Sequence, residues 1–333
     1  MTSHYPAKVT SVGTIPCNLC GGTDVEILGT RDRNGQPLQT VVCRDCGLVW
    51  TDPRPTAAAT RKFYADHYRH EYKSTLQPKL KHVYRDMLRA VQRFNRIESL
   101  LQPGMKLLDI GAGGGFFPYV VKQRGFNVVG LEPNAGYAGY GQDEFGLDIR
   151  IGFIQEAEYD CDSFDIITLN HVLEHLEDPY LALTRIRGWL KPGGYLNVEV
   201  PNIEATYHAP GNKFHRAHLY NFNPGNLQRL ALRAGFQVTD VQIASGTRHI
   251  NMIMQRTEAA VSPAGYGSCA IPGNYDRIMK IFSAHTTRSH YLSWQPYARV
   301  LLKMQTYLRE QLAVRRFRRG REVADYVLLR LER

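Results

Sequence analysis

The chain has 333 residues, a mass of 37.9 kDa, 43% hydrophobic and 22% charged residues, and a formal net charge of +10. That length suffices for a full core plus one or two smaller units, and no apolar run approaches the roughly 20 residues of a membrane-spanning helix. The stretch 1–15 has neither a basic head nor an apolar segment, so no secretory signal is read there and a cytoplasmic location is the expectation.

Residues 1–15 read as a flexible lead. Two matched hooks follow: Cys17 and Cys20 before Gly21-Gly22, and Cys43 and Cys46 before Gly47. A Cys-x-x-Cys turn points two thiolates at one ion, and tetrahedral zinc wants four such ligands. Disulfides are the alternative, but a cytosolic chain keeps thiols reduced. A redox motif needs one such pair rather than two. The reading is a zinc ribbon over 16–55, with an excursion around Asn34-Gly35 and an extended end at Pro53 and Pro55. Cys161 and Cys269 read as ordinary thiols.

Residues 56–102 read as a helical cap. Leu80, Val83, Tyr84, Met87, Leu88, Val91 and Phe94 recur at three and four, one packing stripe. Strands are expected at 106–110, 127–132, 148–152, 164–169, 194–200, 236–244 and 248–255, with helices between them. One of those helices starts at Asn223-Pro224 and stops at Gly235. Such alternation predicts an α/β, Rossmann-like, mainly parallel seven-stranded sheet over 103–256, covered on both faces, with ligands at its C-terminal edge.

Residues 257–333 form a basic helical extension. The linker Ser262–Ser268 leads to a second stripe, Tyr297, Val300, Leu301, Met304, Tyr307, Leu308 and Leu312, expected to pack on the protein itself or on a second subunit as a homodimer. A run of arginines follows from Arg315 to Arg321. Positive charge gathers there and over Arg61–Arg96. It fits RNA, an anionic membrane surface, a phosphate-bearing small substrate, or simply a solvated face.

The segment from Leu107 to Phe117 is the most informative. An aliphatic pair, Asp109, Ile110 and then Gly111, Gly113, Gly114 and Gly115 read as a buried strand ending in a turn that opens a helix. The next strand ends in Glu132, suited to a pair of ribose hydroxyls. A dinucleotide site uses Gly-x-Gly-x-x-Gly for a pyrophosphate. Here the spacing is Gly-x-Gly-x-Gly, and Asp109 would repel a pyrophosphate but suit a cationic ligand. The segment resembles the first motif of class I S-adenosylmethionine-dependent methyltransferases. Ser163–Leu176 resembles the fourth strand and following turn of that family, and Lys191–Asn202 its helix stop and fifth strand.

The resemblance implies S-adenosylmethionine held by Asp109, Gly111, Gly113, Gly115, Glu132, Ile154, Gln155, Asn170 and His171. Gln155 stands where the family usually has Asp or Glu. For a hydroxyl acceptor a base is needed, and histidine suits neutral pH. His171, His175, His208, His215 and His218 are candidates, His218 foremost. His171, Glu174 and His175 also spell a zinc-protease signature, which this strand-end context disfavours. Small-RNA 2′-O-methyltransferases hold a metal on Glu-x-x-Glu-His-His at this point, and the chain offers only part of that set.

The cysteine hooks ahead of such a core resemble methyltransferases of polysaccharide and sugar-modifying pathways. The expected activity is methyl transfer to a hydroxyl or carbon of a glycan, nucleotide-sugar or related metabolite. An RNA methyltransferase and a non-catalytic scaffold are the alternatives.

Overall fold

The computed structural model describes residues 11–56, 78–244, 248–258 and 269–331. The expected linker 262–268 and much of the expected cap lie outside them.

The N-terminal unit is built from β1 (Ser11–Val12), β2 (Val25–Arg31), β3 (Pro37–Cys43), β4 (Val49–Thr51) and β5 (Arg54–Pro55), with β1 paired to β5. Asp32 closes the β2–β3 turn, its carboxylate accepting the backbone N–H groups of Asn34 (2.9 Å) and Gln36 (2.8 Å). Helix α1 (Leu80–Ile97) follows and buries Val83, Met87, Ala90, Val91, Phe94 and Ile97. The core then runs β6 (Lys106–Ile110), α2 (Phe116–Gln123), β7 (Asn127–Glu132), α3 (Ala135–Phe145), β8 (Ile149–Ile151), β9 (Phe164–Asn170), α4 (Pro179–Trp189) and β10 (Leu190–Pro201). It continues with β11 (Tyr220–Asn221), α5 (Pro224–Arg233), β12 (Phe236–Ala244) and β13 (His249–Arg256).

The central sheet has the order β12-β13-β10-β9-β6-β7-β8. Strands β6 to β10 pair in parallel, and β13 runs antiparallel to both β10 and β12. This is a Rossmann-like fold. Side chains of a strand alternate between faces, so Leu107 and Leu108, like Ile166 and Ile167, go to opposite layers. Leu107 and Ile166 pack with α1, α2 and the C-terminal Val323 and Val327. Leu108 and Ile167 pack with Leu183 of α4, Leu227 of α5 and the ribbon's Leu48 and Trp50.

The N-terminal unit is therefore fused into the core. β11 adds to its sheet, giving the order β11-β4-β3-β2, with Tyr220 opposite Trp50. Asn223 caps α5, accepting the N–H of Asn226 at 3.0 Å, and Pro224 takes the first turn, where its missing N–H costs nothing.

The extension forms α6 (Asn274–Ala284), α7 (Thr287–Leu292), α8 (Gln295–Val314) and α9 (Gly320–Leu331). Two findings differ from expectation. The stripe Tyr297, Val300, Leu301, Met304, Tyr307, Leu308 and Leu312 is exposed rather than packed on the protein itself, apart from a contact of Lys81 Nζ 4.7 Å from the Tyr307 ring centre, so of the two expected coverings a second subunit stays open. The arginine run also forms no continuous helical face. It spans the break between α8 and α9, where Glu322 accepts the N–H groups of Arg318 and Arg319. The extension docks through Arg85 and the buried Glu310 (2.5 Å), and through Tyr119 and Asp325. No described helix is long and apolar enough to cross a membrane.

Candidate functional site

A cavity of about 820 Å³ opens at the C-terminal ends of β6, β7, β9 and β10. That is where the sheet order reverses direction, and its volume lies in the range of small-molecule sites. The turn after β6 forms its floor. Gly111 and Gly113 take φ values of 77° and 56°, which side chains disfavour, and a Cβ on Gly111 would sit 2.4 Å from Val172 Cγ2. Gly115 does not line the cavity. A Cβ there would meet Leu147 Cδ1 at 2.6 Å, so this glycine serves the packing of the turn.

Glu132 ends β7 and is buried. One of its carboxylate oxygens accepts the N–H of Gly113 (2.8 Å) and the other that of Asn134 (3.0 Å). Asp109, near the end of β6, is also buried and accepts the Thr168 hydroxyl at 2.6 Å, with Asn170 Nδ2 at 3.5 Å. Burial pushes its pKa up to about 7, against the pull of Thr168, Arg93 and Asn170. Ile154, Gln155, Asn170 and His171 line the same cavity.

The histidines divide into distinct roles. His171 adopts a left-handed φ of 58°, an uncommon conformation for a residue with a Cβ. Its backbone N–H donates to Glu199 O at 2.8 Å. Its Nδ1 lies 3.2 Å from Glu174 and its Nε2 3.0 Å from Glu199. Burial opposes its protonation, yet these two carboxylates prevail and raise its pKa. Burial likewise opposes ionisation of Glu199, but His171 and Arg93 hold it well below the usual range. Arg93 (2.7 Å) and Arg96 (2.6 Å) clamp the Glu199 carboxylate.

Ala217 fixes two further rings. Its carbonyl accepts from His175 Nδ1 (2.8 Å), which leaves His175 Nε2 as the lone-pair nitrogen of the neutral ring, and its N–H donates to His215 Nδ1 (2.9 Å). The His218 ring lies 4.9 Å from that of His175 and 5.1 Å from that of His215. Burial, then the neighbouring histidines, drives its pKa well below 6.5. Ligand atoms of Glu174, His175 and His218 all fall within 4.8 Å of one another, and Glu174 Oε2 is buried without a hydrogen-bond partner. That set could hold a divalent cation with open positions toward the cavity.

The cysteines form a separate cluster. Cys17 and Cys46 sulfurs are 3.5 Å apart, those of Cys20 and Cys43 3.4 Å, and all four lie within 4.8 Å. None is in a disulfide. Zinc–sulfur bonds of about 2.3 Å at tetrahedral angles put sulfurs about 3.8 Å apart, so the cluster fits such an ion closely. Each second cysteine is followed by a positive-φ glycine whose N–H returns to the first: Gly21 to Cys17 O (2.8 Å) and Gly47 to Cys43 O (2.9 Å).

Sequence reasoning missed several cavity residues. Arg33, Lys213, Arg248, His249 and Arg299 line it. They come from a ribbon turn, two loops, a strand start and the C-terminal extension, with no shared periodicity to reveal them. Asn34-Gly35 marked the turn that carries Arg33, but nothing indicated its direction.

Residues 80–241 match the model of a family described as a methyltransferase domain. The ubiquinone biosynthesis O-methyltransferase of Rhizobium etli is 32% identical over 121 residues, covering 34% of this chain and 49% of its own length. The corresponding Pseudomonas aeruginosa enzyme is 35% identical over 105 residues, covering 30% and 45%. The chain thus spans about half the length of the curated relatives it matches. Magnesium protoporphyrin IX methyltransferase from Synechocystis, solved with bound S-adenosylhomocysteine, is similar in fold at 12% identity and a TM-score of 0.50, covering 61% of this chain and 100% of that one.

Proposed function

We propose that this chain transfers a methyl group from S-adenosylmethionine to a hydroxyl of a small molecule, a glycan, nucleotide-sugar or related metabolite. One observation carries the reading: Asp109 and Glu132, at the tips of adjacent strands, flank a positive-φ glycine turn in the same cavity as His218. Glu132, anchored on Gly113 and Asn134, presents its remaining lone pairs to a ribose diol. Asp109 pairs with the cationic part of the cofactor. When bound, S-adenosylmethionine supplies an electrophilic methyl carbon.

The chain's part is alignment and proton removal. With the cofactor bound, the acceptor oxygen would take the methyl group as the carbon–sulfur bond gives its electrons to sulfur, and the hydroxyl proton would pass to His218. His218 lines the cavity and is neutral at pH 7, free to accept a proton, although burial and the neighbouring histidines make it a weaker base than an exposed imidazole. His171 suits it less, since both its ring nitrogens face carboxylates. It acts as a positioning residue for Glu174.

The Glu174, His175 and His218 cluster favours a second reading of the proton step. A divalent cation there would lower the acceptor hydroxyl's pKa, with His218 as ligand rather than base. Zinc on Cys17, Cys20, Cys43 and Cys46 is proposed as structural, because four thiolates leave no open position.

Calorimetry with S-adenosylmethionine tests the core of the proposal. Binding by the native chain, weakened in Asp109→Ala and Glu132→Ala, is expected; no binding by the native chain would overturn it. Methyl incorporation assayed in parallel with RNA and with sugar nucleotides separates the acceptor classes.

A further inference from the structure

Four cations from four separate parts of the chain line the one cavity. Arg33 comes from the β2–β3 turn, Lys213 from the loop after β10, Arg248 from the turn before β13 and Arg299 from α8. Tyr207 organises two of them. The guanidinium of Arg248 lies 4.3 Å and that of Arg299 4.6 Å from the centre of its ring, and Arg299 donates to its carbonyl at 3.3 Å. Cation–π contacts hold both guanidinium groups against the ring.

Lys213 Nζ is buried and makes no hydrogen bond; its ammonium sits 4.1 Å from the Phe282 ring centre. Burying an ammonium without a counter-ion is costly. Burial accordingly pushes the Lys213 pKa down to about 8, opposed only by Glu204. That carboxylate is already held by Arg277 at 2.7 and 2.8 Å. His208, in the same lining, reports the local field: its pKa falls to about 4 through burial and then Arg299, Lys303, Arg248 and Arg33. Around Asp109, by contrast, the charged neighbours are Arg93 and Glu132. The cavity therefore has two electrostatic regions, an acidic one at the strand tips and a cationic one between the ribbon and the extension.

We infer that the cationic region, Arg33, Lys213, Arg248 and Arg299, binds a phosphate-type anionic group carried by the acceptor. The assignment of that ligand as the methyl acceptor rests on the methyltransferase reading above. An anion there gives the buried Lys213 ammonium a hydrogen-bonding counter-charge, and the fixed guanidinium of Arg299 can take it bidentately. It also gives the ribbon turn and α8 a shared role, since each contributes a cation that the methyltransferase core does not possess.

The test is titration calorimetry of the full chain with pyrophosphate, and separately with a short single-stranded RNA, for the native protein and for Lys213→Gln and Arg299→Gln. S-adenosylmethionine affinity, measured on the same samples, reports folding. Saturable pyrophosphate binding, weakened at least tenfold in each variant with cofactor affinity unchanged, is expected. No pyrophosphate binding by a native chain that binds cofactor, or equal affinity in both variants, overturns the site. RNA binding tighter than pyrophosphate and lost in the same variants overturns its assignment to a small acceptor. Pyrophosphate binding without cofactor binding supports the anion site while defeating the methyltransferase reading.

Discussion

Glu132 Oε2 accepts the backbone N–H of Gly113 at 2.8 Å, so the carboxylate at the tip of β7 directly holds the glycine turn that follows β6. The acid is a strut for the loop beneath it, and in the proposed function it is also a ligand for the cofactor. Glu132→Gln keeps one accepting oxygen but loses the charge. A charge-assisted hydrogen bond contributes about 2 kcal/mol, so S-adenosylmethionine affinity should fall roughly 30-fold, with a smaller loss of thermal stability. Calorimetry and a melting curve on the same sample check both parts.

Asp109 gives a pH signature. With its pKa pushed up to about 7, the carboxyl of the cofactor-free protein is largely protonated below neutrality. A cationic ligand needs it ionised, so affinity should drop by up to about tenfold per pH unit below 7. Asp109→Asn should bind weakly with little slope over the same range. A native profile flat from pH 6 to pH 8 would show that Asp109 does not meet the cationic end of the ligand.

The Glu199 network predicts a stability window. Glu199 has a depressed pKa, so its contribution is complete above the ordinary value of 4.5 and fades as pH falls toward its folded value. His171 has a raised pKa, so its contribution is complete below 6.5 and fades as pH rises through its folded value. These two groups favour maximal stability between pH 4.5 and 6.5. Glu199→Ala would strand Arg93, Arg96 and His171 and should cost about 4 kcal/mol, read from urea unfolding.

The cysteine cluster should carry about one zinc per chain by metal analysis. Trp50 and Tyr220 pair across β4 and β11, and Thr51 Oγ1 donates to His218 O at 3.3 Å. Cys43→Ser is therefore expected to impair acceptor turnover as well as ribbon stability, while cofactor affinity at the glycine turn changes little. Intact turnover in a zinc-free Cys43→Ser protein would separate the ribbon from the acceptor side.

His218→Ala is expected to lower kcat by about 10²-fold to 10⁴-fold, the range for a lost general base, with cofactor affinity retained. Dialysis against a chelator divides the two chemical readings. Activity that survives removal of divalent ions supports His218 as base. Activity lost and restored by an added divalent cation supports the Glu174, His175 and His218 metal site.

Local signals made much of the core legible. β6, β7 and β12 lie at their expected bounds: the first two are mainly apolar runs closed by a glycine or an acid, and β12 begins right after the glycine that stops α5. Asn223-Pro224 and Gly235 marked the ends of α5 because capping and helix termination are decided within a few residues. The α8 stripe left its covering undecided for the opposite reason. A helical period tells which residues share a face, and only neighbouring elements decide whether that face is covered.

By itself, the sequence determined the α/β alternation, the glycine turn with Asp109 and Glu132 on successive strands, and the two cysteine hooks. All of these depend on short-range backbone geometry and side-chain chemistry. Tertiary structure alone decided that Ala217 would orient His175 and His215, that Glu174 would lie beside His218, and that Arg33, Lys213, Arg248 and Arg299 would share one cavity. Those residues are up to 266 positions apart, and nothing in their immediate neighbours fixes their approach. Their meeting follows from the addition of β11 to the ribbon sheet and the docking of the extension on α1, which are matters of packing between distant segments.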